Sequence, residues 1–351
     1  MSAGTSTTHR AGTPETTMPR LPDTWTLTAS AFNWTPDVVR AEHPATDIAV
    51  GIVRGGVAPV IELEAGQAWR SFPDPDDGEV DALRRDLEAA GGRVSIVGAS
   101  IDDWALPERR RRDDDERFAF LVPQLRAASR LGATGVRLPI GQAGPALLPR
   151  LLPVLHELDL VLFEEAQGRQ TPSDPGTAAA FEAIAVIDDP HVRVLIDLSM
   201  LMPALPVTYV EALAAAGVSP TLLERIAAEW RDPATAEVVV AALRAGEVPH
   251  QAHTLYMDML VRFGRSDAAV LHDVLPLVSG FHLKFWDLED ADGRVSAPIR
   301  DLGELLAGGA FAGTLASEWG GHEWLDDDPG EMTRRHLALA REALAEGLAR
   351  A

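Results

Sequence analysis

Eight short apolar segments, each long enough for a β-strand and most separated by a stretch with helical periodicity, run along the chain. Such alternation is typical of parallel βα units, and eight of these units close into a barrel. A length of 351 residues suits one barrel with an insertion. We therefore predict an α/β fold, a (β/α)8 TIM barrel, with strands at 25–31, 58–63, 93–101, 135–140, 160–165, 192–197, 278–287 and 312–318.

A doubly wound open sheet is the structural alternative. That fold would carry a glycine-rich dinucleotide fingerprint between its first strand and the following helix. The glycines at 51–56 precede a strand rather than open a helix, so the barrel is favoured.

Two parts of the chain do not follow the alternation. Residues 201–277 contain several helical stripes but no convincing strand, which predicts a helical insertion between strands 6 and 7. The N-terminal residues are rich in Thr, Ser, Gly and Pro and lack the apolar run of a signal peptide. We predict a disordered tail over 1–22 and a barrel domain over 23–351.

Composition limits the possible partners. The formal net charge is -22, which disfavours nucleic acid and anionic membranes because both would repel the chain. The chain has no cysteine, so disulfides, thiolate nucleophiles and cysteine-ligated metals are excluded. No apolar stretch is long enough to span a bilayer. We expect a soluble, cytoplasmic protein with a small substrate.

Ligand-type side chains end the last four predicted strands: Glu165, Asp197, His282 and Glu318. In a barrel, catalytic groups lie at the C-terminal ends of the strands, where the loops converge. Each residue alone has an ordinary explanation as a cap, a turn or an ion-pair partner. Together, three carboxylates would repel one another without a cation, so we predict one divalent metal, most favourably Mn2+, with Mg2+ or Co2+ as alternatives.

The seventh strand also carries Lys284 two residues after His282. Alternation along a strand places His282, Lys284 and Trp286 on one face. A buried imidazole and ammonium are costly unless a site needs them. A strand end that reaches solvent would explain the same pattern.

Four motifs resemble those of xylose-isomerase-like TIM barrels in the sugar phosphate isomerase/epimerase superfamily: F-E-E-A-Q-G at 163–168, V-L-I-D-L at 194–198, F-H-L-K-F-W-D at 281–287 and G-T-L-A-S-E-W-G-G at 313–321. The resemblance implies that the Glu, Asp, His and Glu hold one divalent metal. Within the superfamily, the motifs are most similar to the alpha subunits of C-glycoside deglycosidases, which work with a small beta subunit.

One position departs from the family pattern. Gln167 stands where many relatives have the histidine of an E-x-H-G motif. Glutamine can hydrogen-bond a sugar hydroxyl but cannot act as a base. Arg169 and His322 are nearby residues that we consider as substitutes.

Our leading functional hypothesis is a metal-dependent sugar isomerase or epimerase that transfers a proton beside a metal-chelated carbonyl. The catalytic candidates are Glu165, Glu318 and Lys284. The substrate-binding candidates are Gln167, Arg137, Trp286, Trp319 and His322. The alternatives are a C-glycoside deglycosidase alpha subunit with a small beta subunit, and a non-catalytic sugar-binding protein; a DNA-repair endonuclease on the same barrel is disfavoured by charge. A homo-oligomer is also considered.

Overall fold

Eight parallel strands close into a barrel in the computed structural model, which describes residues 20–106 and 108–351. Every strand pairs with its neighbours in sequence, and the first pairs with the last. The predicted TIM barrel is confirmed, and the open-sheet alternative is wrong. The strands are β1 Trp25–Ser30, β2 Val60–Glu64, β3 Arg93–Gly98, β4 Gly135–Pro139, β5 Val161–Ala166, β6 Val192–Asp197, β7 Val278–Phe285 and β8 Gly313–Trp319.

Helices surround the barrel and fill its longer connections. In chain order they are α1 Thr35–Arg40, α2 Ala45–Arg54, α3 Ala65–Ala68, α4 Asp77–Ala89, α5 Asp114–Leu131, α6 Gly144–Leu158, α7 Ala178–Ile187, α8 Val207–Ala215, α9 Pro220–Ala228, α10 Thr235–Arg244, α11 His253–Val261, α12 Ser296–Leu306 and α13 Pro329–Arg350. A short hairpin, Trp104–Ala105 with Arg110–Arg111, follows β3.

Local sequence explains where α5 begins and ends. Asp113 caps α5 through a capping box with Glu116, and the helix ends at Gly132, whose φ of 84° is left-handed. The sequence analysis missed α2, because this helix begins after Pro44 without a side-chain cap and contains a glycine.

Apolar residues between positions 202 and 263 form their own cluster, whereas Leu271 and Val274 belong to the main core. The helices α8–α11 bury Tyr209, Trp230 and Phe263 in this cluster, separately from the main core between barrel and outer helices. Trp286, which follows β7, packs edge-on against Phe263 with ring centroids 4.8 Å apart and so joins the cluster to the barrel. The helical content agrees with the sequence pattern, while the status of this segment as an insertion stays a prediction.

The predicted tail falls mostly on residues 1–19, which lie outside the described residues. Leu21 is buried in the main apolar cluster, so the described chain begins packing before position 22. Within residues 20–106 and 108–351, no helix has both the length and the apolar character needed to cross a membrane.

A buried histidine lies between the barrel and the last helix. His336 of α13 has no exposed surface, its Nδ1 lies 2.9 Å from Ser317 Oγ, and its ring stacks on Phe285 at 3.8 Å. Burial lowers the pKa of His336 from 6.5 to about 3, because the charged imidazolium would lose its hydration.

We predict that His336 makes the fold acid-sensitive. As the pH falls below 6.5, this histidine becomes protonated in the unfolded chain, whereas folded His336 stays neutral down to about pH 3. The free energy of unfolding therefore decreases as the pH falls through this window. Within this window, His336 lowers the free energy of unfolding by about 1.4 kcal/mol for each unit that the pH falls. His336→Gln, which keeps a hydrogen-bonding side chain, should flatten the pH dependence of the free energy of unfolding in urea. The exposed control His43→Gln should not, and parallel slopes for all three proteins would contradict the prediction.

Candidate metal centre and active site

Four buried side chains meet at the C-terminal mouth of the barrel: Glu165, Asp197, His282 and Glu318. Each offers one ligand atom, and these atoms all lie within 4.8 Å of one another. Asp197 and His282 are register partners on β6 and β7, and strand alternation turns all four side chains inward. No other group of this kind occurs in the described part of the chain.

Two ligand-type atoms in this group lack a hydrogen bond. His282 Nδ1 lies 2.8 Å from Glu165 Oε1 and also faces Glu318 Oε2 in an ion-pair contact. Both atoms are buried, and neither makes a well-aligned hydrogen bond despite these short contacts. Buried polar atoms without an aligned partner are rare, and a bound cation would give both atoms a bond. Three carboxylates and one imidazole fit a divalent cation such as Mn2+.

Two positive side chains, Arg137 and Lys284, pair with the two glutamates of the group. Arg137 of β4 donates to Glu165 Oε2 at 2.5 Å and also to Glu64 of β2. Lys284 Nζ donates to Glu318 Oε1 at 2.8 Å. Each of the two outer glutamates in the cluster therefore has one oxygen on a positive side chain and the other toward the centre of the group.

The imidazole of His282 is surrounded by carboxylates. Its Nε2 lies 2.9 Å from Glu62 Oε2, which fixes the ring. Burial lowers the pKa of His282, but Glu318, Glu165 and Glu62 outweigh burial and raise it well above the usual value. Without a metal, His282 is thus the proton-bearing counter-ion of the site. Because a metal needs neutral imidazole, its binding should release that proton.

The remaining ligand candidate is held by the backbone. Asp197 Oδ1 accepts a hydrogen bond of 2.6 Å from the amide of Ser199, at the start of a short 3-10 helix. Burial raises the pKa of Asp197 to about 6, only partly offset by Lys284. For Glu165, burial raises the pKa, but Arg137 and His282 reverse the effect and bring it to about 2.

A cavity of about 580 Å3 opens above these residues. This volume is in the range of sites for drug-sized ligands. Its apolar lining includes Phe32, Leu260, Val261 and Trp286, and the segment that ends α11 supplies two of these. The polar lining consists of Glu64, Arg137, Glu165, Gln167, Arg169, Gln170, Ser199, Arg262, Lys284 and Glu318.

Three of the five predicted substrate-binding residues line this cavity: Arg137, Gln167 and Trp286. The other two lie outside its wall. Trp319 is 1% exposed, packs with Phe285 and Met332, and donates from Nε1 to the Trp286 carbonyl at 2.8 Å. Because it directly follows the inward-facing Glu318, alternation turns its side chain to the outer face of the barrel. A sugar-stacking wall at Trp319 therefore does not agree with the structure.

His322 lies one layer behind the cavity. Its ring contacts Phe32, with centroids 5.0 Å apart, and Trp319 at 5.6 Å. It therefore supports the lining residue Phe32 and does not itself line the cavity, so the structure does not place it where the predicted contact with substrate requires.

The sequence analysis missed two glutamates and one compositional feature. Glu62 and Glu64 alternate at the end of β2, as inward-facing residues should, and this spacing was a usable signal. Lys284 is the only lysine among the 31 lysine and arginine residues of the chain. A compact ammonium at this one position, in a chain that uses guanidinium everywhere else, marks the position as chemically distinct.

Comparison with solved structures shows the fold class. D-psicose 3-epimerase from Clostridium cellulolyticum H10 is similar with a TM-score of 0.54 at 13% identity, covering 92% of this chain and 99% of that one. L-ribulose 3-epimerase gives 0.52 at 12%, covering 93% and 95%. Both epimerases share the TIM-barrel fold with this chain, which is the fold that the sequence predicted.

By sequence, the homologues of this chain are C-glycoside deglycosidase alpha subunits. One from Arthrobacter globiformis is 27% identical over 317 residues, 84% of this chain and 85% of that protein. The 3'-dehydrocarminate deglycosidase alpha subunit of Microbacterium sp is 26% identical over 334 residues, 91% and 95%. No protein-family model matches the chain.

We predict one Mn2+ per chain, bound at the four-residue group. Loss of a residue that only hydrogen-bonds to a metal ligand costs about 10–100-fold in affinity. Asp197→Asn changes a proposed ligand itself and should weaken Mn2+ binding by more than this, while the exposed control Asp273→Asn should leave the affinity unchanged. Calorimetry measures the affinity.

The single lysine provides a second measurement. In protein with isotope-labelled lysine, the one side-chain NMR signal is that of Lys284, and paramagnetic Mn2+ should broaden it in wild type but not in Asp197→Asn. A sharp signal in wild type saturated with Mn2+ would place the ion elsewhere.

Proposed function

We propose that the chain is the catalytic alpha subunit of a metal-dependent C-glycoside deglycosidase that works with a small beta subunit. The observation that supports this most is a buried group of metal-ligand type below a 580 Å3 cavity, in a chain whose sequence relatives are deglycosidase alpha subunits. The isomerase hypothesis, which led from sequence alone, has the support of the fold only, because the epimerases are 12–13% identical.

The bond to be cleaved explains why a metal and a proton acceptor are needed. A C-glycosidic bond joins the anomeric carbon to a carbon of the aglycone, which has no lone pair to protonate, so the acid catalysis of ordinary glycosidases does not apply. The name of one relative denotes a sugar oxidised to a ketone. We propose a substrate of this class, with a ketone two carbons from the anomeric carbon.

In such a substrate the carbon between the ketone and the anomeric carbon is acidic. Removal of its proton forms a double bond to the anomeric carbon and breaks the bond to the aglycone. The aglycone carbon leaves with the bonding electron pair and takes up a proton, so the products are an unsaturated keto-sugar and the free aglycone. The residues must therefore polarise a ketone, accept one proton and return one.

The four-residue group would hold a divalent cation that supplies Lewis-acid polarisation of the ketone oxygen. Lys284, which lines the same cavity, presents a second positive charge to that oxygen. Burial lowers the pKa of Lys284, but Glu318 and Asp197 outweigh burial and raise it above the usual value. Lys284 therefore remains an ammonium and acts by charge.

The proton acceptor must be a carboxylate, because Gln167 lines the cavity but cannot accept a proton. Glu165 and Glu318 were the candidates from sequence. The structure adds Glu64, which lines the cavity and does not belong to the four-residue group. Burial raises the pKa of Glu64, against the lowering effect of Arg137, so it retains more basicity than an exposed glutamate.

Replacement of the lysine should separate catalysis from binding. In Lys284→Met we expect kcat to fall about a hundredfold to a thousandfold with little change in KM, because one charge at the developing oxyanion is lost. Lys284→Arg keeps the charge but not the compact ammonium, so it should recover part of the rate. An unchanged kcat in Lys284→Met would assign the residue a structural role only.

The partner distinguishes the candidate functions. Affinity-tagged chain, expressed in its native host, should co-purify with one small protein, and the pair should cleave a keto-C-glucoside faster than the chain alone. A ketohexose that exchanges a carbon-bound proton with solvent deuterium, without any partner, would instead support the epimerase. Binding of Mn2+ and sugar with neither reaction would indicate the sugar-binding protein. A homo-oligomer and a cytoplasmic location stay predictions.

A further inference from the structure

The side-chain amide of Asn33 binds the backbone on both sides of Glu318. Asn33 has no exposed surface; its Nδ2 donates to the Ser317 carbonyl at 3.2 Å, and its Oδ1 accepts from the Trp319 amide at 2.7 Å. A backbone carbonyl only accepts and a backbone N–H only donates, so these two groups also fix which way the Asn33 amide is turned. The residue between the two contacted peptide groups, Glu318, is one of the four ligand candidates.

This pattern of two bonds is that of a parallel β-ladder. In such a ladder, a residue donates to the carbonyl before its partner residue and accepts from the amide after it. β1 and β8 pair in this way up to Ala29 and Ser317, and the ladder ends there because the chain turns at Ser30 into a 3-10 helix. Asn33, on that helix, supplies with its side chain the donor and the acceptor that β1 no longer offers opposite Glu318.

The last helix holds the Asn33 amide in this orientation. The second hydrogen of Nδ2 is donated to Thr333 Oγ1 of α13 at 2.9 Å. Thr333 is itself fully buried and donates to the Pro329 carbonyl at 2.6 Å. Both donors of the Asn33 amide are therefore used, which keeps a buried amide in one conformation. Through this one side chain, α13 and the turn after β1 are both joined to the end of β8.

The carboxylate at this point of β8 has two close charged neighbours. Glu318 Oε1 accepts from Lys284 Nζ at 2.8 Å, and Oε2 faces His282 Nδ1. On one side the backbone of Glu318 is paired with Lys284 of β7, and on the other side it is held by Asn33. A backbone shift here would move the carboxylate relative to both neighbours at once.

The residue before Asn33 contacts the same ammonium. Phe32 lines the cavity, and Lys284 Nζ lies 5.0 Å from the centre of its ring, which is within the range of a cation–π contact. Asn33 therefore anchors two groups that meet at Lys284: the ring beside the ammonium and the carboxylate that accepts its hydrogen bond.

We propose that Asn33 is the positioning residue of Glu318. It does not line the cavity, and it acts through the backbone of β8, which sets the Glu318 carboxylate between His282 and Lys284 in the place where it can ligate a cation. The inference adds a residue to the proposed metal centre and so rests on that part of the proposed function. It does not depend on which reaction the centre catalyses.

The test removes the hydrogen bonds of Asn33 and keeps its approximate size. In Asn33→Leu we expect the Mn2+ dissociation constant, measured by calorimetry, to rise about tenfold, the lower end of the loss that follows removal of an outer partner. In metal-free protein with isotope-labelled lysine, the Lys284 side-chain NMR signal should move toward its position in the urea-unfolded chain, because the pair with Glu318 is loosened.

A second variant acts on the orientation of the amide. Thr333→Val keeps the shape of the side chain but removes the acceptor of Asn33 Nδ2. It should change the Mn2+ affinity and the Lys284 signal in the same direction as Asn33→Leu, by a smaller amount. Thr333→Val decides the test if Asn33→Leu does not fold.

Gln124 of α5 provides a matched control. It is 1% exposed, and its side-chain amide also binds the backbone twice, donating to the Ser100 carbonyl at 2.8 Å and accepting from the Ser100 amide at 2.9 Å. Gln124→Leu should lower the urea midpoint of unfolding, as Asn33→Leu does, but leave the Mn2+ affinity and the Lys284 signal unchanged. Equal effects of Gln124→Leu and Asn33→Leu on these two measurements would overturn the proposal, and so would unchanged values in both Asn33→Leu and Thr333→Val.

The two measurements separate this inference from the proposed function. If wild type binds no Mn2+, the proposed metal centre falls, and the Lys284 signal of the metal-free proteins alone decides whether Asn33 positions Glu318. If wild type binds Mn2+ and the Asn33 and Thr333 variants match it in affinity and in the Lys284 signal, the metal centre stands and the role of Asn33 falls.

Discussion

The structure depends on how the barrel tolerates several buried carboxylates around one imidazole. Glu62, Glu165 and Glu318 all approach His282, and all four side chains are buried at the base of the cavity. Such an assembly is stable only if positive charge is built in beside it, because isolated charges in a protein interior are costly. Arg137 and Lys284 supply part of that charge, and the atoms left without hydrogen bonds indicate where the rest belongs.

The alternation of side chains along each strand brings these charged residues together in one site. Phe163 and Leu195 fill the inside of the barrel with Ile96, and the residues two positions later, Glu165 and Asp197, point inward above that apolar layer. The floor of the site is therefore apolar, and the ligand candidates are carried by strands rather than loops. A single residue of register shift would turn the same carboxylates outward into the helix layer.

Most of the fold and the centre of the site were predictable because they depend on local periodicity. Eight strands and four strand-end ligand candidates follow from spacing, and a closed barrel brings the four candidates together. The pairing of Glu62 with His282 across 220 positions and the arrival of Arg262 from α11 depend on long-range packing, which local spacing does not encode. The position of Trp319 was predictable from alternation but was misassigned by its proximity to Glu318.

The helical segment at 202–263 has its own apolar cluster, is joined to the barrel through Trp286, and supplies part of the cavity wall. The residues over a bound molecule and the residues beneath it therefore belong to different stretches of the polypeptide with separate cores. Substitutions in the upper stretch can therefore reshape the cavity wall while the strands that carry the four-residue group keep their own packing.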